Sequence, residues 1–281
     1  MTGKRKSGEI CDDNCGRGRK VGKKGKRKAD RKEQGGENRV WRICGIVLGC
    51  LVLVAALVLG GIKMFRVREA RKSGILLAFD DYSPGSWTEA LELFDKYNVH
   101  VTFFVAWDEP TEFCYKALEK GHEIGFHTIG HTDVTDMDEE ELQRCVIDPI
   151  ETFRNGGIEM TSFAYPYGFH DDETDERLLE YYKVVRGAWY YEVHSKADLR
   201  HGFVEAYPID NIHFETDEEF QAKIDQILQE LSDNVGAVTC LYSHAIDVGD
   251  WCVKPERLEY LFQKADELGL KFYTFKELQN N

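Results

Sequence analysis

The chain has 281 residues, which is the length of one large domain or two small ones and excludes an array of many domains. Its formal net charge of −14 is unevenly distributed. Residues 1–42 contain 15 basic and 6 acidic residues, a net of +9, whereas residues 43–281 contain 21 basic and 44 acidic residues, a net of −23. The two parts are therefore expected to face different environments.

Residues 1–42 form a basic tail that is expected to be disordered. The tail contains "GRGRKVGKKGKRKADRK", which is rich in Gly and Lys and has few apolar residues to bury. Such a segment can contact anionic lipid or nucleic acid, or it can be a solvated determinant of membrane topology. No aromatic residues are interleaved with these charges to stack on bases, so we favour the topology role and expect no nucleic-acid partner.

The segment "ICGIVLGCLVLVAALVLGGI", residues 43–62, predicts a helix that spans a membrane. Its 20 residues carry no charge, and about 20 apolar residues cross the hydrocarbon core of a bilayer. A buried core helix is disfavoured by Gly49, Gly60 and Gly61 and by the charged flanks. A cleaved signal peptide is disfavoured because 42 residues precede this long apolar run. We predict an uncleaved signal anchor in the cell membrane, with a cytoplasmic tail and an extracytoplasmic acidic part.

The eight cysteines do not have the spacing of a metal-binding framework. Two lie in the tail and two in the predicted span: Cys11, Cys15, Cys44 and Cys50. The acidic part contains the other four: Cys114, Cys145, Cys240 and Cys252. An exported domain can join such residues in disulfides or bury them as free thiols, and the sequence leaves both possibilities open.

After a charged linker, residues 63–73, the chain alternates strands and helices to its end, and we interpret residues 74–281 as one domain. The strand-like runs are Ile75–Phe79, Val99–Val105, Glu123–Phe126, Thr161–Ala164, Lys183–Arg186, Phe203–Ala206, Ala237–Tyr242 and Leu270–Tyr273. Three helical repeats pass through Leu142, Val146, Ile150 and Phe153 (with a kink expected at Pro149), through Phe220, Ile224, Ile227 and Leu231, and through Leu258, Leu261, Ala265 and Leu268.

This alternation predicts an α/β domain with a mainly parallel sheet and helices outside it. Seven or eight strands in about 210 residues favour a barrel over an open sheet. Catalytic residues of such barrels lie at the carboxyl ends of the strands, so polar residues at those ends are the candidates for chemistry.

The first strand ends in "AFDD", with two adjacent acids, Asp80 and Asp81. A single acid at a strand end is usually a turn or capping residue. Two acids after a fully apolar strand favour a functional site, although neighbouring side chains point to opposite faces while a strand lasts.

The segment "GHEIGFHTIGH" places His127 and His131 four residues apart, directly after a short strand. Such a pair can bind one metal ion, although this spacing also arises by chance. Two histidines and one Asp would form a three-ligand set with an open position, which is typical of catalytic zinc. His122 precedes the strand and is expected to be structural.

Two further strand ends carry polar residues. In "SFAYPYGFHDD", Pro166 and Gly168 flank Tyr167 and predict a tight turn, which is either an ordinary turn or one that aims a backbone N–H at a substrate oxygen. In "AVTCLYSHAID", a buried strand ends at Ser243 and His244. A histidine at the mouth of a barrel can be a general acid, and a structural histidine fits the pattern equally well.

Together these four strand ends resemble a known family. The combination of "AFDD", "GHEIGFHTIGH", "YPYG" and "LYSH", in this order, is similar to the motifs of polysaccharide deacetylases with a NodB-homology domain, carbohydrate esterase family 4. The resemblance extends over residues 75–281 and includes "VTFFVA" and "PERLEYLFQKADELGLKFYTFKEL". It implies a deformed (β/α) barrel of about seven strands, preceded in this chain by the single transmembrane helix.

The resemblance also implies a role for each matching residue. Asp80 would be the general base, and His244 would protonate the leaving amine. The backbone N–H of Tyr167 would help to hold the oxyanion. A divalent metal, usually zinc but cobalt, manganese or nickel in some relatives, would be bound by three side chains: Asp81, His127 and His131.

The chain departs from the family pattern at the third motif and in the first loop. The arginine that often begins the third motif and holds the base is Ala164 in this chain. Arg186, which ends a nearby strand, is a possible substitute that the sequence does not place. The glycine that commonly follows the two acids is Tyr82.

The fourth motif of the family, an Asp-Trp pair, has no clear counterpart. Trp189 and Trp251, with Pro166, are candidates for the wall of the pocket, and Asp210 is a candidate to orient a histidine.

These residues favour a membrane-anchored, metal-dependent deacetylase that acts on N-acetylglucosamine units of peptidoglycan or another extracytoplasmic glycan. An O-acetyl esterase of xylan-like glycans, and hydrolysis of C–N bonds in small molecules, are alternative activities. A glycan-binding protein that has lost catalysis is an alternative of another class, motivated by Ala164. In a third hypothesis, the basic tail is the main functional unit and binds nucleic acid or lipid.

Overall fold

The computed structural model describes residues 41–61, 72–196 and 198–279, and these fall into two units divided between Met64 and Phe65. The predicted tail up to residue 40, which includes Cys11 and Cys15, lies outside the described residues. Residues 62–71, which include most of the predicted linker, lie outside them too.

The first unit contains helix α1, Trp41–Gly61, which is long and apolar enough to cross a membrane. None of its most apolar stretch is buried inside the protein, whereas the core helix of a soluble protein would be mostly buried. Cys44 and Cys50 are exposed on this helix. Its length and composition are compatible with a single-pass membrane protein.

The second unit alternates strands and helices as predicted. Its strands are β1 Gly74–Asp81, β2 Thr102–Val105, β3 Glu123–Phe126, β4 Ser162–Ala164, β5 Val184–Arg186, β6 His194–Ser195, β7 Gly202–Val204, β8 Ala206–Pro208, β9 Ala237–Ser243, β10 Ala245–Ile246, β11 Cys252–Val253 and β12 Lys271–Tyr273. Its helices are α2 Pro84–Tyr97, α3 Glu112–Glu119, α4 Glu139–Leu142, α5 Asp148–Asn155, α6 Asp172–Leu178, α7 Asp217–Asp233, α8 Pro255–Glu267 and α9 Phe275–Gln279.

The sheet is a nearly closed barrel, which confirms the predicted fold class. Strands β1 to β5 follow one another in parallel, and β9 lies on the other side of β1. Strand β7 pairs with β5 and β8 pairs with β9, so these two short strands, separated only by Glu205, connect the two edges. Eight described strands, β1 to β5 and β7 to β9, thus surround the interior, and the helices cover the outside.

The helical repeats are confirmed. Helix α7 buries the predicted stripe of apolar residues, and α8 begins at Pro255 with three of its four predicted residues buried. The expected kink at Pro149 is a change of helix type, because one turn of π-helix, Gln143–Ile147, separates α4 from α5. Proline has no N–H to continue an α-helical ladder, which accounts for the break.

Successive residues of β1 face two different cores. Ile75, Leu77 and Phe79 pack outward against the helices, whereas Leu76 and Ala78 point into the barrel. Other strands also have small side chains on the face that points into the barrel. These small side chains leave room inside the barrel for one long side chain. The four cysteines of this unit are buried free thiols: Cys114, Cys145, Cys240 and Cys252.

Candidate active site

The four predicted strand ends meet at the carboxyl end of the barrel, around one cavity of about 420 Å³. The residues that line it are Asp80, Asp81, His127, His131, Tyr165, Tyr167, Gly168, Arg186, Ala188, Trp189, Tyr242, His244 and Trp251. Pro166, which we expected in the pocket, is buried within its loop and does not line this cavity.

The two adjacent acids reach the same cavity because the backbone is strained at the second one. Asp80 continues the inward row of Leu76 and Ala78 and is 2% exposed. Strict alternation would turn Asp81 away from the cavity. Instead Asp81 has a φ of 82°, in the left-handed region that non-glycine residues seldom adopt. Both carboxylates therefore line one site.

Asp81, His127 and His131 form a compact group of three side chains that could hold a metal ion. One ligand atom from each lies within 4.8 Å of the others. Asp81 Oδ1 is 3.2 Å from His127 Nε2 and 3.3 Å from His131 Nε2. Strand β3 ends one residue before His127, and His131 has a left-handed backbone (φ 57°) that turns its ring back towards its partner.

The hydrogen bonds of this group indicate lone pairs that converge without a proton between them. His127 Nδ1 lies 2.7 Å from the carbonyl oxygen of Ala164, which can only accept, so Nδ1 carries the proton. In the neutral ring Nε2 then presents a lone pair towards Asp81, whose buried Oδ1 has no hydrogen-bond partner among the described residues. Two imidazole nitrogens and one carboxylate oxygen are the donor set of an open divalent-metal site, and the carbonyl is its orienting partner.

The protonation states suit the same interpretation. Burial alone would raise the pKa of Asp81, but the hydrogen bond and charge of His127 in its protonated form, with the charges of His244 and His131, lower it to about 2. Burial, with the charge of His127, lowers the pKa of His131. Near neutral pH the carboxyl group is ionised and His131 is neutral, which are the forms that bind metals.

Asp80 is held by a buried arginine from another strand. Arg186 Nη2 donates to Asp80 Oδ2 at 2.5 Å, and Nη1 donates to the Gly187 carbonyl oxygen at 3.1 Å. The guanidinium lies over the rings of Phe104 and Tyr242, 5.3 and 4.7 Å from their centroids. Burial would lower the pKa of Arg186, but the charge of Asp80 raises it. The pair is therefore a buried, charge-assisted contact.

The position of Arg186 accounts for Ala164. These two residues are direct partners in the parallel ladder of β4 and β5, so their side chains leave the sheet at the same height and on the same face. Ala164 lies in the core inside the barrel and has only a methyl group. Arg186 thus supplies, from the next strand, a cation at the level where Ala164 has none.

His244 is oriented by Asp210. The Asp210 carboxylate lies 3.1 Å from His244 Nδ1 and also accepts from the His244 N–H at 3.2 Å and from the Ser243 hydroxyl at 2.6 Å. Burial opposes the charged form of His244, but the hydrogen bond and charge of Asp210 outweigh it and raise the pKa of His244. A carboxylate acceptor at Nδ1 leaves Nε2 as the nitrogen that can exchange a proton with a substrate.

The third motif forms a strained turn on the cavity wall. Tyr167 has a φ of 59°, and Gly168 follows with a φ of 71°. A Cβ on Gly168 would lie 2.7 Å from that of Ala188, so this loop and the loop after β5 are in close contact. Trp189 Nε1 donates to the Tyr167 carbonyl oxygen at 2.9 Å, which joins the two loops.

Aromatic side chains form much of the remaining wall. The ring of Trp251 lies 5.3 Å from that of His244 and 6.4 Å from that of Trp189. On the other side, the Tyr82 hydroxyl accepts from the Gly130 N–H at 3.0 Å. Tyr82 therefore connects the first loop to the loop of the two histidines.

Sequence reasoning missed part of the cavity wall. Tyr165 and Tyr242 line the cavity, but only Tyr242 could have been found from strand alternation, because Tyr165 is adjacent to the inward-facing Ala164. Tyr242 is two residues from Cys240 on the inward face of β9. Tyr165 donates to Asp175 Oδ1 at 2.7 Å, which needs knowledge of where α6 packs.

Comparison with known proteins agrees with this geometry. Residues 68–184 match the family model described as polysaccharide deacetylase. A peptidoglycan-N-acetylglucosamine deacetylase of Bacillus cereus is 28% identical over 121 residues, which cover 41% of this chain and 57% of that protein. The matched segment is therefore less than two thirds of that relative's length. The family match ends before Arg186 and His244.

Solved structures share the fold. A chitin deacetylase from the fungus Colletotrichum lindemuthianum aligns with a TM-score of 0.54 at 17% identity, covering 75% of this chain and 89% of that one. A family 4 acetyl xylan esterase from Clostridium thermocellum, in complex with a cobalt ion, aligns with a TM-score of 0.51 at 19% identity, covering 73% and 90%. At these identities the likeness shows the fold, a (β/α) barrel.

Proposed function

We propose that this chain, whose residues 68–184 belong to the polysaccharide deacetylase family, is a metal-dependent hydrolase that removes acetyl groups from N-acetylated amino sugars of a polysaccharide. One observation carries the proposal. A three-ligand donor group, an arginine-held carboxylate and a carboxylate-held histidine all line the same cavity. Hydrolysis of an amide is catalysed by three such parts acting together: a metal site that activates the carbonyl group, a general base and a general acid.

Asp81, His127 and His131 would hold the metal, and nitrogen and oxygen donors suit zinc, with cobalt, manganese or nickel as alternatives. A divalent cation bound there would polarise the acetyl carbonyl and lower the pKa of a water molecule.

Asp80 is the proposed base. Its Oδ2 accepts from Arg186, while its buried Oδ1 has no hydrogen-bond partner in the described part of the chain. Oδ1 is thus available to take a proton from the attacking water. Arg186 aligns the Asp80 carboxylate and compensates its buried charge, because a buried charge without a partner is strongly unfavourable.

His244 is the proposed acid. Asp210 raises the pKa of His244, which keeps a proton on the ring at higher pH, and the carboxylate fixes the orientation of the ring. Nε2 then delivers that proton to the amine nitrogen as the C–N bond breaks. The backbone N–H of Tyr167, in the strained turn on the cavity wall, is the proposed partner of the oxyanion.

We further propose the domain limits and topology: a basic cytoplasmic tail (1–42), a signal anchor (43–62), a linker (63–73) and an extracytoplasmic catalytic domain (74–281). Helix α1 and the charge contrast between tail and domain support this arrangement. The substrate would then be peptidoglycan, as the name of the Bacillus cereus relative indicates for that protein, or another surface glycan. Protease added to intact spheroplasts should digest the domain, and protection of the domain would contradict the topology.

The activity is tested by acetate release. The purified chain is incubated with Zn²⁺ or Co²⁺ and N-acetylated chito-oligosaccharides, peptidoglycan or O-acetylated xylan, beside a His127→Ala control. Release from the N-acetylated substrates that the control lacks is expected. Release from xylan alone would replace the proposal with an O-acetyl esterase. Binding of glycan without release under any metal would indicate a binding protein.

A further inference from the structure

One carboxylate, that of Asp175 on α6, contacts both ends of the loop that follows β4, residues 165–170. Asp175 Oδ1 accepts a hydrogen bond from the Tyr165 hydroxyl at 2.7 Å, and Oδ2 lies 3.1 Å from His170 Nδ1. Tyr165 precedes the strained turn at Tyr167, and His170 follows it. Asp175 thus joins the two ends of the loop, and we call Tyr165, His170 and Asp175 together the clasp.

The hydrogen bonds of the clasp have defined donors. Burial and the hydrogen bond to Asp175 raise the pKa of Tyr165 above its usual value, so the hydroxyl keeps its proton and donates it. An ionised carboxylate can only accept, so His170 Nδ1–H is the donor to Oδ2. Each carboxylate oxygen therefore has one donor, and the two donors come from opposite ends of the loop.

The two donors are themselves fixed by packing. Tyr165 is 1% exposed. The ring of His170 stacks on that of Phe203, with the centroids 4.1 Å apart, and its Nε2 faces Glu205 Oε1 at 3.9 Å. A group that is held before the substrate arrives loses little conformational entropy when the substrate binds. The clasp is therefore a preformed support of the loop.

The loop needs such support because its turn is strained. Tyr167 has a left-handed backbone, with a φ of 59°, which persists only where the surrounding contacts hold it. Inside the loop, the Gly168 N–H donates to the Tyr165 carbonyl oxygen at 3.0 Å. Trp189 holds the Tyr167 carbonyl group from the neighbouring loop. The clasp adds the contacts that hold the two ends of the loop on α6.

We propose that Asp175 is a positioning residue that keeps the Tyr167 N–H directed at the oxyanion by closing the loop around it. This inference rests on the proposed function, in which that N–H stabilises the oxyanion, and adds the side chain that keeps it in place. A donor to an oxyanion acts in the transition state and has to be oriented beforehand. Loss of the clasp should therefore lower kcat and leave KM nearly unchanged.

The test measures acetate release from N-acetylglucosamine oligomers by the full chain in detergent with Zn²⁺. Asp175→Ala removes both hydrogen bonds, so kcat should fall at least about tenfold while KM stays within about twofold. Asp175→Asn should recover most of this loss. Its amide oxygen can accept from Tyr165, and its amide N–H can donate to Nδ1 of the other tautomer of His170. His170→Ala removes one of the two bonds and should give a smaller fall in kcat of the same kind.

Asp171→Ala is the matched control. Asp171 caps the same helix by accepting from the Thr174 N–H at 2.8 Å, so its replacement weakens α6 but leaves both bonds of the clasp. Its kcat should equal that of the wild type. An equal loss of kcat in Asp171→Ala would overturn the inference, because general weakening of α6 would then explain the effect. Loss of kcat in Asp175→Asn would overturn it too, because the charge of Asp175 would then be required instead of its two hydrogen bonds.

Hydrogen exchange of the backbone amides in residues 165–170, followed by mass spectrometry, separates this inference from the proposed function. Exchange should be faster in Asp175→Ala and should keep the wild-type rate in Asp175→Asn and Asp171→Ala. If this pattern appears but the wild type releases no acetate with any metal, the clasp stands and the proposed function fails. If exchange in Asp175→Ala equals that of the wild type, the inference fails whether or not acetate is released.

Discussion

Replacement of Arg186 by Met should disable Asp80 and destabilise the barrel. Methionine preserves much of the packing under Phe104 and Tyr242 but leaves Asp80, 2% exposed, without its cation. Removal of one partner of a buried ion pair destabilises a protein by about 3–5 kcal/mol, because an uncompensated charge remains. The variant also loses the hydrogen bond that aligns the Asp80 carboxylate in the cavity, so kcat should fall by at least about 100-fold.

A double-mutant cycle tests the magnitude. Urea unfolding of the domain is measured for Arg186→Met, for Asp80→Asn and for both together. The double variant should be less destabilised than Arg186→Met alone, since no buried charge remains. Additive free energies of unfolding would refute the idea that the two side chains form one coupled unit.

A transplanted arginine tests the position. The variant Ala164→Arg/Arg186→Ala places the guanidinium on the ladder partner of Arg186, at the same height on the same face. We expect it to recover part of the kcat that Arg186→Ala loses. The double variant must first have the same free energy of unfolding as the wild type. If its kcat is then no higher than that of Arg186→Ala, the height of the arginine in the barrel is not sufficient to support activity.

Three further predictions concern protons and metal. Asp210→Asn removes the group that raises the pKa of His244, so kcat, which needs the protonated ring, should be lost at a lower pH on the alkaline side of a kcat–pH profile. An alkaline limb that does not move would contradict the assignment of the acid. A chelator should abolish acetate release by the wild type, and added Zn²⁺ should restore it. Added Zn²⁺ should not restore release in His127→Ala or His131→Ala. Calorimetry should show that these two variants bind the metal at least about 100-fold more weakly than the wild type. Burial and the nearby charge of His100 lower the pKa of His122 to about 4 in the folded state. The pKa of an unfolded histidine is about 6.5. Between about pH 4 and about pH 6.5, therefore, only the unfolded state binds a proton at His122. Stability should therefore fall as the pH drops through 6.5, by about 2 kcal/mol at pH 5, and the His122→Gln variant should lack this part of the dependence in urea unfolding.

The strands and helices could be predicted from the sequence because their signals are local. The run Glu123–Phe126 appears as a strand with the predicted bounds, and the stripe through Phe220 and Leu231 is buried in α7. Strands β10 and β11 have two residues each, which is too short for any alternation to be visible. The direction of Asp81 was also beyond the sequence, since alternation predicts the opposite side and only the left-handed backbone reverses it.

The two partners that complete the site depend on contacts between distant segments. Asp80 and Arg186 are 106 residues apart, and His244 and Asp210 are 34 apart. Neither spacing contains a local signal. The sequence could show that Arg186 and Asp210 end strands or follow them, but only the pairing of β4 with β5 and of β8 with β9 brings them to Asp80 and His244.

The barrel fixes the height at which a functional group must lie, but it does not fix which strand supplies that group. Parallel ladders align residues in layers, so Ala164 and Arg186 occupy one layer with their side chains in the same interior space. A methyl group at one position leaves the volume that the guanidinium of the other occupies, and the long arginine side chain spans the lateral distance to Asp80. We therefore expect an arginine on either strand to reach Asp80 when its partner in the layer is small. A motif that is read along β4 alone contains only Ala164, although Arg186 on β5 forms the ion pair with Asp80.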